Sequence, residues 1–131
     1  MRGSCLCGQI SYELMAPVEL LVHCHCSRCR KAHGAPYATF AAVPRAGFRW
    51  IQGEEAVATY APDGWGTRPY CPRCGSPAPA VRGDRVDVPA GALEGPLPDV
   101  PGLHIFVGSK APWVELSDGL PQHEEYPPEW L

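Results

Sequence analysis

Seven cysteines are the residues best able to do chemistry in this sequence of 131 residues. They occur in three short motifs, Cys5-x-Cys7, Cys24-x-Cys26-x-x-Cys29 and Cys71-x-x-Cys74. Cysteines two or three positions apart allow one tight turn to present both thiolates to the same ion. Zinc suits such turns because it imposes no geometry of its own and accepts sulfur at about 2.3 Å. The spacing therefore predicts metal ligands.

Two other interpretations of the cysteines are weaker. A disulfide framework would leave one of the seven unpaired, and no apolar run that would indicate a secretion signal follows Met1. Redox chemistry at Cys71 and Cys74 usually requires a βαβ context, which the sequence does not show. We therefore expect zinc as the cofactor and a soluble, cytoplasmic protein.

Seven sulfur atoms can serve two zinc ions per chain, because four thiolates complete a tetrahedral site and three leave one position open. The economical partition gives the contiguous trio Cys24, Cys26 and Cys29 to an open site. The closed site then has the ligands Cys5, Cys7, Cys71 and Cys74. Spacing alone also allows a closed site made by Cys5, Cys7, Cys24 and Cys26.

An ion held by three thiolates keeps a negative charge and is a weak Lewis acid. It is better suited to bind an incoming thiol, which coordination deprotonates, so that the thiolate can attack a small electrophile such as an aldehyde. We therefore expect Cys24, Cys26 and Cys29 to be catalytic. The alternative is a zinc-folded protein-binding module without catalysis, which a histidine as fourth ligand at this trio would favour.

Charged residues surround the Cys24 motif. Arg28, Arg30 and Lys31 could attract an anionic substrate, although solvated loop charges are the simpler interpretation. His25 lies between two cysteines in an extended segment, so we expect its side chain to point away from the metal.

Five further residues have expected supporting roles. His23 and His104 are expected to be structural histidines rather than acid–base groups. Trp113 is expected in the core. Gly8 and Gly75 follow cysteine pairs, where a backbone with positive φ favours glycine.

The elements that must position these residues are predicted to be short strands. Alternation of polar and apolar residues over Gln9–Leu14 is typical of a half-buried strand. The other predicted strands are Val18–His23, Pro36–Val43, Phe48–Gln52, Ala56–Tyr60, Val86–Val88, His104–Val107 and Val114–Leu116. Cys24–Cys29 is expected to be a compact turn.

The composition indicates a mainly β fold with little helix, because 14 glycines and 16 prolines favour turns and break helices. We expect a single domain over residues 1–131, with a core of about 2–118 and an extended tail at 119–131. The net charge of −3, with no strong basic cluster, argues against nucleic acid as a partner. The longest uncharged stretch, Ala32–Pro44, is too short to span a membrane.

The three cysteine motifs and a later segment resemble the glutathione-dependent formaldehyde-activating enzyme family, also called the centromere protein V/GFA domain. The segments that carry the resemblance are Gly3–Tyr12, His23–Lys31, Tyr70–Ser76 and His104–Trp113. The resemblance extends from about Arg2 to Pro128.

This resemblance implies a small β domain of the β-tent type with two cysteine knuckles. It implies a structural zinc ion on Cys5, Cys7, Cys71 and Cys74, and a catalytic zinc ion on Cys24, Cys26 and Cys29. It also implies a small thiol, glutathione, as the substrate. The reaction would be the addition of glutathione to formaldehyde to give S-hydroxymethylglutathione, formally a carbon–sulfur lyase reaction run backwards.

Overall fold

Short strands make up most of the regular structure in the computed structural model, which describes residues 1–62, 64 and 66–131. The strands are β1 (Arg2–Ser4), β2 (Ser11–Leu14), β3 (Leu20–Cys24), β4 (Ala38–Pro44), β5 (Phe48–Gln52), β6 (Ala58–Tyr60), β7 (Arg68–Tyr70), β8 (Ala80–Arg82), β9 (Arg85–Pro89), β10 (Leu93–Glu94) and β11 (Gly102–Ile105). The helix α1 (Ser27–His33) is accompanied by several 3-10 turns. The prediction of a mainly β fold with little helix is confirmed. Within the described ranges, no helix is long and apolar enough to cross a membrane.

The strands form two larger sheets and one small one. One sheet has the order β10-β1-β2-β5 and another has the order β11-β3-β4-β9-β8, while β6 pairs with β7. The pairings are antiparallel except that of β3 with β11, which is parallel. The strand β3, which ends at Cys24, therefore lies between β11 and β4.

The core explains why β2 has an alternating sequence. Tyr12 and Leu14 are buried, whereas Glu13 lies on the other face, where it forms an ion pair of 2.6 Å with Arg49 of β5. The buried face contributes to a cluster that also contains two cysteines. Its buried members are Cys5, Ile10, Tyr12, Leu14, Ala41, Val43, Cys71, Val86 and Val88. A smaller group of buried core residues consists of Cys24, Cys29, Ala38 and Ile105.

The expectation about the Cys24 motif is wrong. The segment Cys24–Cys29 is not only a turn, because α1 begins at Ser27 with Cys26 as its N-cap. The Cys26 sulfur accepts a hydrogen bond from the backbone N–H of Cys29 at 3.2 Å, the role that serine or aspartate usually has. Because cysteine is not a typical N-cap, the residue pattern does not indicate this helix.

The C-terminal segment differs from expectation as well. Val114–Leu116, predicted as a strand, lies outside the strands. Trp113 was expected in the core but is 72% exposed. Lys110 extends across this segment, and its ammonium group contacts the carbonyl oxygen of Val114. The predicted strand is therefore a loop, which the Lys110 side chain holds in place.

Candidate metal centres

The first cluster, which consists of Cys5, Cys7, Cys71 and Cys74, brings the N-terminal motif to the middle of the chain. Its four sulfur atoms lie within 4.8 Å of one another. The sulfur of Cys7 lies 3.6 Å from that of Cys5 and 3.8 Å from that of Cys71. A tetrahedral zinc ion with Zn–S bonds of about 2.3 Å separates its sulfur ligands by about 3.8 Å. The first cluster therefore fits zinc.

Glycines allow both turns of the first cluster to close. Gly8 and Gly75 each have φ of 80°, in the left-handed region that favours glycine, as expected. The N–H of Gly8 donates to the carbonyl of Cys5 at 3.1 Å, and that of Gly75 donates to the carbonyl of Cys71 at 2.7 Å. The N–H of Ile10 also donates to the Cys5 sulfur at 3.3 Å. Such N–H groups stabilise a thiolate.

Ser76 joins the two turns. Its hydroxyl oxygen accepts a hydrogen bond from the backbone N–H of Leu6 at 2.9 Å and lies 3.2 Å from the sulfur of Cys74. Hydrogen bonds from the hydroxyl and the backbone N–H of Ser76 lower the pKa of Cys74 to about 5. These hydrogen bonds favour the thiolate of Cys74, the form that binds metal.

The second cluster consists of Cys24, Cys26 and Cys29, whose sulfur atoms also lie within 4.8 Å of one another. Cys24 ends β3, Cys26 caps α1 and Cys29 lies in its first turn. Hydrogen bonds from the thiols of Cys24 and Cys29, together with backbone N–H groups, lower the pKa of Cys26 to about 2. The same interaction raises the pKa of Cys24. Three converging sulfur atoms fit a metal ion that keeps one position free.

The two clusters are separate, and they divide the seven cysteines as the economical partition predicts. The other arrangement, with Cys5, Cys7, Cys24 and Cys26 around one ion, is not formed. Among the described residues, no histidine belongs to the second cluster. A histidine there would have favoured the binding module.

Histidines next to the second cluster bond to each other and to other side chains. His25 has no exposed surface, and its Nε2 lies 2.8 Å from Nδ1 of His104. Its side chain therefore points away from the sulfur atoms, as expected. Burial is the main cause that lowers the pKa of His25 to about 4. His23 bonds through Nδ1 to the hydroxyl of Thr39 at 2.8 Å, consistent with a structural role.

Arg68 is a residue of the site that sequence reasoning missed. Its Nη2 lies 3.6 Å from the sulfur of Cys29, so the guanidinium offsets negative charge at the second cluster. Of the three basic residues expected there, Arg30 donates through Nε to the carbonyl of His25 at 3.3 Å, and Lys31 is exposed. No local motif marks Arg68, because it comes from β7, far along the chain from α1.

A cavity of about 220 Å³ has residues near both clusters in its lining, although no cysteine is among its described lining residues. Ala32 and His33 line it from α1, one helical turn beyond Cys29, and Arg68 lines it from β7. The other lining residues that are described are Phe40, Tyr60, Thr67, Pro69, Tyr70, Gly75, Pro77, Ala78, Ala80, Arg82 and Pro89. This described lining carries arginines and no acidic residue, although the whole chain is acidic. Of these arginines, Arg82 is paired with Asp87 at 3.1 Å.

A larger cavity of about 570 Å³ lies elsewhere, against residues 14–18 and 96–100. Its described lining contains no cysteine, histidine or arginine. The smaller cavity, in contrast, has Arg68 and His33 among its described lining residues.

Fold and site together define a small β protein with two cysteine clusters that could hold metal ions, compatible with zinc. The chain belongs to the glutathione-dependent formaldehyde-activating enzyme family, whose model matches residues 1–109. The structure is similar to a crystal structure of a protein of Rhodobacter sphaeroides, with 27% sequence identity and a TM-score of 0.59. That similarity covers 78% of this chain and 99% of the other. Membership of the family suggests glutathione-dependent activation of formaldehyde.

Proposed function

We propose that this protein is a zinc-dependent, carbon–sulfur lyase-like enzyme that catalyses the reversible addition of a thiol to formaldehyde or another small electrophile. Glutathione is the thiol that the family suggests. The first cluster holds a structural ion and the second cluster a catalytic one. The observation that carries the proposal is the convergence of three sulfur atoms, with no histidine among the described residues of that cluster, beside Arg68, which also lines a cavity.

Three thiolates at the second cluster would hold a zinc ion with one free position, where a further thiol binds as thiolate. The chain supplies the surroundings. Arg68 places a positive charge against Cys29, which offsets the charge that gathers as another thiolate approaches. Arg68 also lines the cavity, where its guanidinium could contact a carboxylate of a thiol such as glutathione.

The proposed reaction balances without any oxidant. The thiolate sulfur donates an electron pair to the carbonyl carbon and forms the C–S bond. The carbonyl π electrons move to oxygen, which takes up one proton from water to give the hydroxymethyl thioether. In the reverse direction the hydroxyl loses its proton, the C–S bond breaks and the thiolate leaves. The uncatalysed addition is itself reversible, so the test must measure acceleration.

Metal content and substitution with Co²⁺ test this proposal. We expect about two zinc ions per chain, because each cluster offers a complete set of sulfur ligands for one. In the Co²⁺ form, glutathione should change the absorption of the ion at the second cluster only. Exchange spectroscopy by NMR should then show faster interconversion of formaldehyde and its glutathione adduct with the protein present.

A Cys26→Ser variant is the matched control, since it removes one ligand of the second cluster and leaves the first intact. It should keep about one ion per chain and lose both the spectral response and the acceleration. The enzyme proposal is wrong if glutathione leaves the Co²⁺ spectrum of the unsubstituted chain unchanged. A preparation with no acceleration over buffer would also contradict it.

A further inference from the structure

The smaller cavity borders the second cluster through two side chains. Arg68 lines the cavity and also contacts the sulfur of Cys29 at 3.6 Å. Phe40 lines it as well, and it packs against the smaller group of buried core residues, which contains Cys24 and Cys29. A molecule in this cavity would therefore lie one side chain away from the second cluster, with Arg68 at the border.

The arginines of the described lining already bond to other groups of the protein. Arg68 contacts Cys29. Arg82 donates through Nε to the carboxylate of Asp87 at 3.1 Å and through Nη2 to the carbonyl of Thr67 at 3.0 Å. Glutathione carries an ammonium group and two carboxylates, and burial of such groups without partners is costly. Beyond the border at Arg68, the cavity is therefore poorly matched to the polar body of this thiol.

Three strands contribute aromatic rings to the described lining, namely those of Phe40, Tyr60 and Tyr70. Tyr60 of β6 pairs with Arg68 of β7, and Tyr70 lies two residues further along β7. These three side chains therefore share one face of the strand pair. Tyr60 is 61% exposed and Tyr70 is 38% exposed. Exposed aromatic surface at the wall of a cavity is typical of a site that binds an apolar group.

The volume of the cavity suits a single ring. It is about 220 Å³, and an apolar cavity of about 150 Å³ accommodates benzene. Formaldehyde is little larger than a water molecule, whose share of liquid volume is about 30 Å³, so it would leave most of this space empty. Pro69, Pro77 and Pro89 add apolar surface to the wall. A flat apolar group of about benzene size would fill the cavity and cover the exposed tyrosine rings.

We propose that the electrophile of this enzyme is an aldehyde with a flat apolar group, such as an aromatic aldehyde, and that this group occupies the smaller cavity. An aldehyde fits because its one polar group, the carbonyl, can lie at the border next to Arg68. The inference rests on the proposed function, in which a thiolate at the second cluster attacks the carbonyl carbon. The sulfur electron pair forms the C–S bond, the carbonyl π electrons move to oxygen, and one proton from water completes the hemithioacetal.

Binding of an unreactive analogue tests the cavity apart from the reaction. The probe is 4-fluorobenzyl alcohol, which carries the ring but no carbonyl carbon for a thiolate to attack. The zinc-bound, full-length protein should broaden and shift its ¹⁹F NMR signal. Two variants should weaken this binding about tenfold, because each removes apolar surface from contact with the probe. Tyr60→Ala removes part of the wall, and Ala32→Phe adds a ring at an exposed position of α1 that lines the cavity.

Two further variants are the matched controls. Tyr60→Phe keeps the ring and removes only the hydroxyl, and Trp113→Ala removes a side chain that is 72% exposed and lies outside the described lining. Both should bind the probe as the unsubstituted protein does. Absence of binding to the unsubstituted protein would overturn the proposal, and so would unchanged binding in Tyr60→Ala and Ala32→Phe. Equal weakening by Trp113→Ala would also overturn it, because the probe would then bind to exposed apolar surface in general.

Reaction rates test the choice of electrophile. With glutathione as the thiol, the acceleration over the uncatalysed reaction should be about 10- to 100-fold greater for 4-fluorobenzaldehyde than for formaldehyde, the effect of burying one ring. Acceleration that is equal for the two, or greater for formaldehyde, would contradict the proposal. Failure of the proposed function looks different. In that case neither aldehyde reacts faster with the protein than without it, while the binding of the alcohol and its dependence on Tyr60 remain.

Discussion

Arg68 donates a hydrogen bond from Nη2 to the sulfur of Cys29, across 3.6 Å. Arg68 is the first residue of β7, and the last residue of this three-residue strand, Tyr70, is followed directly by Cys71. One short strand therefore contacts the second cluster at one end and enters the first cluster at the other. The strand therefore links the position of the cation beside Cys29 to the first cluster.

Replacement of Arg68 should weaken the second cluster selectively. A hydrogen bond to a charged group contributes about 1.5–3 kcal/mol, so Arg68→Met should raise the KM for the thiol substrate about 10- to 100-fold. Arg68→Lys, which keeps the positive charge without the planar fork, should show a smaller increase. Steady-state kinetics with both variants checks this. An equal loss in the two would show that shape, and not charge, is what Arg68 contributes.

The two clusters should differ in their effect on folding. Cys71 has no exposed surface and belongs to the larger core cluster, whereas Cys26 is only partly buried and packs against the smaller one. Binding of a structural zinc ion contributes on the order of 10 kcal/mol, as much as the whole stability of a typical domain. Cys71→Ser should therefore unfold the protein at room temperature, and Cys26→Ser should leave it folded.

Circular dichroism together with zinc content distinguishes these outcomes. The roles assigned to the clusters are reversed if Cys26→Ser unfolds while Cys71→Ser keeps a cooperative thermal transition.

A close backbone contact with Gln9, which follows the Cys5–Gly8 turn, makes Gly53 intolerant of a side chain. Its φ is 81°, and a Cβ there would lie 2.2 Å from the carbonyl oxygen of Gln9. Backbone cannot move aside as a side chain can, so Gly53→Ala should destabilise the fold by about 1–3 kcal/mol. Gly91→Ala is the control, since its Cβ would meet open space. Urea unfolding of the two variants measures the difference, and equal midpoints would contradict the contact.

His33 should make the fold sensitive to acid. Burial, and then the charge of Arg68, lower its pKa. The ordinary value is about 6.5, so as pH falls through that value the unfolded chain takes up a proton more readily than the folded one. The contribution of neutral His33 is thus fully present above this pH and is lost below it. His33→Gln removes this dependence.

Comparison of the two proteins at pH 8 and pH 5 isolates this effect, because release of metal by acid is common to both. The free energy of unfolding of the unsubstituted protein should fall more between these pH values than that of His33→Gln. A larger fall in the variant would show that the sign is wrong.

The cysteine clusters could be predicted because their information is local. A closely spaced pair such as Cys71 and Cys74 is typical of a turn that binds one metal ion. The glycine at position 75 indicates how that turn closes. The strands Phe48–Gln52 and Val86–Val88 were also well located, because Phe48, Trp50, Val86 and Val88 alternate with other residues and face the core. A cytoplasmic location stays a prediction.

Arg68 and Asp118 could not be predicted, because each acts on a residue brought near by the fold alone. Arg68 lies 39 residues from Cys29 in sequence, and Asp118 lies 14 residues from His104. Neither belongs to a motif, and both residue types are common on surfaces. The exposed position of Trp113 illustrates the same limit, since residue type alone suggested burial.

The attachment of residues 121–125 to β11 affects the choice of end points for shortened versions of the protein. A version that stops at residue 109 would retain every cysteine. It would lack Pro121 and His123, the backbone partners of His104, and Asp118, whose carboxylate bonds to the His104 ring. Such a fragment would contain all the cysteine ligands but would lack a segment that packs against the strand next to them. Loss of activity in it would therefore say little about the cysteines themselves.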